Sequence, residues 1–361
     1  MSSIIPTPKR LSLAVAGLGR MGKQHVVNAL HFSPRIHLAA VSTPAKTELD
    51  WANENLIPHG VKVFSSLDEL LANGKFDALL IASATKVHFE QVMTAMAHGL
   101  HVLCEKPLAM NLDQCKKILE ATHQDRNKDL KIMTAFSRRF DLSYINAKKA
   151  IESGRIGKPV VIRCDNRDLY ERTDGMINYL KNNPGIFIDS GVHDIDLSIS
   201  FLGESIRPKS CYAVGSVSMH HELNDIGDAD NAVGIIEWYA EDADPITYCY
   251  CSRIMQHGFD NPTEIIGTKG VLKINLHPRR DLLTIADANG IGNDVMPDYF
   301  ERYEQAFVTE LNTFASCVLD DKALPYKLDT AVMGMEIAQA LQESFRTGRK
   351  VCWGKDGRRV E

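Results

Sequence analysis

The sequence predicts an α/β protein of two domains: a doubly wound parallel sheet, then an α+β domain whose sheet is mostly antiparallel. Three observations carry this. The chain has 361 residues, which at about 150 residues per domain gives two to three domains. Strand and helix patterns alternate through residues 1–137, the rhythm of right-handed βαβ crossovers. After residue 137 strands follow one another without intervening helices, the rhythm of antiparallel neighbours. The division is therefore 1–137 and 138–361.

In the first domain, residues 11–16 form an apolar, β-branched run closed by glycine, and 21–32 read as a helix. A strand at 36–41, a helix at 46–55 and a short strand at 61–64 follow. Ser66-Leu67-Asp68-Glu69 is a capped helix start, with serine three residues before glutamate. Residues 77–82 read as a strand, continuously apolar from Ala78, as expected of one covered on both faces. A helix at 87–98 ends at Gly99, and 101–104, 112–122 and 131–135 read as strand, helix and strand.

In the second domain, 140–153 is a helix ending at Gly154, and 160–168 a strand. Further strands are expected near 211–219, 231–240, 246–254, 262–267 and 270–276. Phe300, Tyr303, Phe307, Leu311, Phe314 and Val318 recur at helical spacing, as do Met333, Ile337, Leu341 and Phe345. The acidic stretch 222–230 is read as a solvated loop.

Composition excludes several classes. Hydrophobic residues make up 44% and charged residues 24%, the balance of a globular chain. A net charge of −5, with basic residues only in isolated pairs, gives no footprint for nucleic acid and no polybasic membrane anchor. The longest apolar stretches are strand-sized, well short of the ~20 residues of a spanning helix. The N-terminal MSSIIPTPKR has no apolar core of a signal peptide. Eight cysteines without a Cys-x-x-Cys pair suggest reduced thiols, no metal site and a cytoplasmic protein.

The first strand runs directly into Gly17-x-Gly19-x-x-Gly22 at a helix start. Gly17 permits the tight turn, Gly19 clears the approach of a pyrophosphate, and Gly22 lets helix and strand pack closely. This is the Rossmann dinucleotide fingerprint, with phosphates at the helix N-terminus. An NAD site commonly has an acid at the end of the second strand, about 20 residues on, to hold the ribose 2′-hydroxyl. Ser42 stands there instead, followed by Thr43 and, nearby, Lys46. Ser42 and Thr43 are hydrogen-bond donors, and Lys46 suits a 2′-phosphate, so NADP(H) is favoured over NAD(H). The alternative is that Ser42 starts a turn and Lys46 is merely solvated.

Three further segments are candidates for chemistry. Cys104-Glu105-Lys106-Pro107 follows the fifth strand at the ligand-binding edge of the sheet. Proline fixes the backbone before it, so Lys106 projects from a defined position. Residues 190–202 read as an amphipathic helix, with Asp189 at its N-cap and His193 four residues on. The helix dipole there favours a charged Asp189 and a neutral His193, the state a general base needs. The plainer alternatives are a simple cap and a core histidine. Arg139, at the domain boundary, is read mainly as a structural ion-pair partner.

Together, Gly-x-Gly-x-x-Gly, Glu-Lys-Pro, SRRFD, ESGRIGKPV, GIFIDSGVHDIDLSISFLG and EIIGTKGVL resemble the glucose–fructose oxidoreductase / inositol dehydrogenase / MocA (Gfo/Idh/MocA) family over nearly the whole chain. The resemblance implies a Rossmann domain followed by an open, mostly antiparallel sheet that often forms a homodimer or homotetramer interface. It implies an NAD(P)-dependent oxidoreductase moving a hydride between nicotinamide and a secondary alcohol or carbonyl of a sugar, cyclitol or similar polyol. Lys106 would then bond the reacting oxygen, His193 would exchange its proton and Asp189 would assist. The cofactor set becomes Gly17, Leu18, Gly19, Arg20, Met21, Gly22, Ser42, Thr43, Lys46, Ala82, Ser83, His88, Glu105 and Lys106. His88 itself reads better as a residue packing at the cofactor edge. Asn182-Asn183-Pro184-Gly185 replaces a run of glycines common in the family. That departure keeps an imine or enone reductase open, alongside a non-catalytic cofactor-binding regulator.

Overall fold

A computed structural model describes residues 9–360 apart from 183, 242 and 243. The chain divides into two compact units, one of residues up to Ser137 with Gln305–Val332, the other of Arg138–Glu304 with the residues from Met333 on. Gln305–Val332, which the sequence reading assigned to the second domain, thus packs with the first unit.

The first unit holds β1 (Leu11–Ala16), α1 (Arg20–His31), β2 (Ile36–Ser42), α2 (Lys46–Asn55), β3 (Lys62–Phe64) and α3 (Leu67–Ala72). It continues through β4 (Ala78–Ile81), α4 (His88–Ala97), β5 (His101–Glu105), α5 (Leu112–Thr122) and β6 (Ile132–Ala135). All its strands pair in parallel, in the order β3-β2-β1-β4-β5-β6. β1 and β4 are wholly buried but for Ser12, because helices cover both faces. The strand order reverses between β1 and β4, and their C-terminal ends therefore define the ligand crevice of an open α/β sheet. Ser66 caps α3 by accepting from the Glu69 N–H, as its spacing predicted. The segment from Gln305 is tied to this unit by Arg35–Asp320 at 2.5 Å, Lys131–Asp321 at 2.9 Å and a Tyr326 hydroxyl donating to the Thr134 carbonyl.

The second unit begins with α6 (Leu142–Glu152), β7 (Pro159–Leu169), α7 (Asp174–Lys181), a π-helical turn (Phe187–Gly191) and α8 (Val192–Leu202). β8 (Arg207–Ser216), β9 (Asn231–Tyr239), β10 (Ile246–Met255), β11 (Thr263–Gly267) and β12 (Val271–Ile274) follow. After a small hairpin of β13 (Ile285–Asp287) and β14 (Gly290–Gly292) come α9 (Tyr299–Leu319), kinked at Tyr303 and part of the first unit from Gln305 on, and α10 (Leu328–Thr347), which belongs to the second unit from Met333 on. β15 (Val351–Trp353) and β16 (Arg359–Val360) end the described chain. The eight-stranded sheet runs β12-β11-β7-β10-β9-β8-β15-β16, antiparallel throughout except for the parallel β7–β10 pair.

One face of this sheet is covered. A Cβ on Gly234 of β9 would lie 3.0 Å from Leu341 of α10 and from Phe187, so the glycine lets that layer close down. The other face is open: Tyr212 is 40%, Val214 50% and Ile235 43% exposed. The acidic stretch 222–230 departs from expectation. Residues His221–Ile226 form a 3-10 turn, and Asp228 and Asp230 are buried rather than solvated.

Candidate active site

The phosphate cradle forms as its glycines require. Gly17 has φ +91°, and a Cβ there would meet the Ser83 backbone at 2.5 Å, so a side chain is excluded by both strain and space. A Cβ on Gly22 would lie 2.1 Å from the Gly17 carbonyl, which is why helix and strand can pack this closely. Gly19 is different: a Cβ there would meet nothing within 4 Å, so the glycine faces open space at the N-terminus of α1. An uncrowded main chain at a helix start fits the pyrophosphate of a dinucleotide. Arg20 is exposed and Met21 half-buried beside it, whereas Leu18 is buried and offers only its main chain.

The neighbouring strand ends complete this crevice. The Gly17 N–H donates to the Ser42 carbonyl at 2.8 Å, and the Ala82 N–H to the Ala16 carbonyl at 2.8 Å. The Ser83 hydroxyl donates to Gln91 at 2.6 Å. His88 is buried, with one ring nitrogen 2.9 Å from the Pro107 carbonyl and the other 3.0 Å from that of Ser83. It therefore sits between the β4 and β5 loops, donating to one of the two carbonyls when neutral. Burial lowers its pKa despite those two carbonyls.

At the end of β2, Ser42 and Thr43 are buried and Lys46, the first residue of α2, is exposed. The Thr43 hydroxyl donates to the Glu48 carboxylate and accepts from the Ala45 N–H at 3.4 Å. Thr43, expected as a donor to the cofactor, is thus engaged within the protein. Glu48, on the first turn of α2, supplies a carboxylate near this strand end that a count along the sequence to position 42 misses.

Lys106 follows β5, its peptide to Pro107 in the cis form. Glu105, expected at the cofactor, is buried, with Oε1 2.7 Å from His25 Nε2 and Oε2 accepting from the Lys106 N–H at 3.2 Å.

In the second unit, Asp189 does not cap a helix. It lies inside the π-helical turn, and α8 begins at Val192, with His193 in its first turn. The Asp189 charge is met by side chains instead of a helix end. Tyr179 donates its hydroxyl to Oδ1 at 2.7 Å, and Arg253 approaches Oδ2 at 3.4 Å. Partial desolvation, with Asp189 adding to it, raises the phenol of Tyr179, a residue 42% exposed, above its ordinary value and keeps it a donor.

Arg253 also reaches Asp228 at 3.1 Å. Asp228 accepts from the Ile186 N–H at 2.9 Å and from Gln342 at 3.1 Å. Gln342 in turn fills the space beside Gly185, where a Cβ would approach its amide within 2.4 Å. Of the unusual loop 182–185, Asn183 lies outside the described residues. Arg138 pairs with Asp194 and Arg139 with Asp196, each at 2.7 Å, anchoring α8 on its buried side. Burial pushes Asp194 up to about 7 even beside Arg138.

His25, Glu48, Tyr179, Asp228 and Arg253 were not singled out by the sequence reading. His25 alone left a local signal, since it sits three residues beyond Gly22 on the packed face of α1.

A parallel sheet in the order β3-β2-β1-β4-β5-β6, with an open glycine cradle at its reversal point, defines a Rossmann dinucleotide-binding domain. Comparison narrows the class. The family model for an oxidoreductase family with an NAD-binding Rossmann fold, Gfo/Idh/MocA, matches residues 11–132, and that for the family's C-terminal alpha/beta domain matches 148–353. The chain belongs to this family.

Among similar proteins, scyllo-inositol 2-dehydrogenase (NAD(+)) of Bacillus subtilis is 32% identical over 340 residues, covering 94% of this chain and 95% of that one. Myo-inositol 2-dehydrogenase of Thermotoga maritima is 30% identical, covering 94% and 98%. A crystal structure of scyllo-inositol dehydrogenase from Lactobacillus casei with bound NAD(H) and scyllo-inositol superposes with a TM-score of 0.87 at 30% identity, covering 95% and 99%.

Proposed function

We propose that this protein is a cyclitol dehydrogenase that oxidises a secondary ring hydroxyl to a ketone, with Lys106, Asp189 and His193 as its polar machinery. The observation that carries this reading is the likeness, over nearly the full length of both chains, to dehydrogenases named for inositols. The nicotinamide, when bound, accepts the hydride from the carbinol carbon. The ammonium of Lys106 donates to the reacting oxygen and favours the charge that develops on it. The imidazole of His193 takes the hydroxyl proton, so that C–H and O–H are lost together as C=O forms. In reduction His193 returns that proton. Asp189, its carboxylate held between Tyr179 and Arg253, binds substrate hydroxyls beside His193.

The finer cofactor choice belongs to the same proposal. The relatives whose names print a cofactor print NAD, and Glu48 brings a carboxylate near Thr43. Against that, the end of β2 carries Ser42 rather than an acid, and the exposed Lys46 suits a 2′-phosphate. We hold to a preference for NADP(H) on those two residues. Homo-oligomerisation is proposed through the open sheet face, on which Tyr212, Val214 and Ile235 are exposed.

The test is oxidation of scyllo- and myo-inositol with each cofactor by wild type, His193→Ala and Lys46→Ala. His193→Ala should lose turnover by about a hundredfold or more while still binding reduced cofactor. Lys46→Ala should weaken NADPH and leave NADH unchanged. Full turnover by folded His193→Ala would defeat the mechanism, and NADPH binding insensitive to Lys46 would assign the site to NAD.

A further inference from the structure

His25 belongs to the helix that carries the phosphate cradle, yet it makes no use of the helix N-terminus. It is 0% exposed, lies on the buried side of α1, and stacks edge-to-face on Phe307 with ring centroids 6.1 Å apart. Its Nε2 is 2.7 Å from Glu105 Oε1, while its Nδ1 is buried with no hydrogen-bond partner among the described residues. The tautomer with its proton on Nε2 satisfies this arrangement, because a proton on Nδ1 would be a buried donor without an acceptor. The second oxygen of Glu105 accepts from the Lys106 N–H at 3.2 Å. A continuous chain of bonds thus runs from α1 through one carboxylate to the main chain of Lys106. Glu105 is itself only 8% exposed, so neither end of the chain is readily replaced by water.

We propose that His25 is a positioning residue for Lys106. By holding Glu105, it fixes the backbone from which the lysine projects and ties that backbone to the helix that cradles the cofactor phosphates. Placement of the lysine and placement of the cofactor then share one rigid element, which is the geometric condition for an oriented hydride transfer. This rests on the role proposed above for Lys106.

The test compares full-length wild type, His25→Phe, His25→Gln and Lys106→Met, with scyllo-inositol as the probe substrate. Phenylalanine keeps the ring and its stacking but cannot donate, whereas glutamine retains an N–H. His25→Phe should lower kcat by about ten- to a hundredfold, raise the isotope effect with carbinol-deuterated substrate, and leave NADH affinity unchanged. His25→Gln should recover much of kcat. Lys106→Met should be inactive, and full activity in that variant would overturn the reading of Lys106 and this inference with it. An inactive Lys106→Met alongside a fully active His25→Phe would overturn the inference alone. So would losses in His25→Phe that track lowered thermal stability and cofactor affinity and that glutamine does not repair.

A readout independent of turnover and of the phenylalanine variant is the acetylation rate of Lys106 by limiting acetic anhydride, measured by peptide mass against Lys86. It should change in Glu105→Gln, because an amide has a single acceptor oxygen and cannot accept from both His25 and the Lys106 N–H. An unchanged rate would contradict the coupling.

Discussion

Asp230 is fully buried, and its carboxylate is encircled by main-chain donors: Ser218 at 2.9 Å, Met219 at 2.7 Å and His220 at 2.9 Å, with the Asn231 amide at 2.9 Å. Burial opposes the charge, yet these N–H groups hold the carboxyl below its usual range. An acid whose folded pKa lies below its unfolded value stabilises the fold above that unfolded value and loses the contribution progressively as pH falls from there through the folded value. Asp230→Asn should therefore destabilise the protein at neutral pH by about 1–3 kcal/mol. The gap in melting temperature between wild type and variant should narrow below about pH 4. A gap that stays constant down to pH 3 would show that the charge is not what the main chain holds. Two other acids repeat this lesson. Asp228, read in the sequence as part of a solvated loop, and Glu105, read as a cofactor residue, are both buried anchors for main-chain N–H groups.

At the scale of elements, the π-helical turn Phe187–Gly191 is the least regular feature and carries Asp189. It is held by Arg253, whose side chain is 6% exposed and faces Asp189 and Asp228 at 12% and 1%. Arg253→Met would leave two buried carboxylates without their cation, and should cost about 3–5 kcal/mol, read as a drop in melting temperature. Asp228→Asn in the same background should recover part of it, and additive losses would contradict a shared role.

The regular elements were legible from local pattern. The helices over Lys46–Asn55 and Leu112–Thr122 coincide with their sequence-predicted spans, and β1 occupies the apolar run before Gly17. Such patterns record which face of a segment is buried. They do not record partners distant in sequence. Arg253 is 64 residues from Asp189, and Gln342 is 114 from Asp228. The π-turn depends on those partners, so the α-helical spacing applied to Asp189 and His193 gave a cap that does not exist. α7 was missed because its Asp174–Lys181 span covers little more than two turns, too short for a repeating stripe to stand out.

At the scale of the whole molecule, the fold supplies a cofactor crevice in one unit and a histidine-bearing helix in the other, each built on its own sheet. No described helix is long and apolar enough to cross a membrane, and the described residues hold no cluster of three or more metal-ligating side chains. The most direct measurement is to oxidise scyllo-inositol deuterated at every ring carbon and to weigh the reduced nicotinamide by mass spectrometry. Direct hydride transfer from a carbinol carbon predicts one deuterium in each reduced cofactor, from either NAD or NADP. Reduced cofactor lacking deuterium, or none formed while an intact dinucleotide stays bound, would contradict the account.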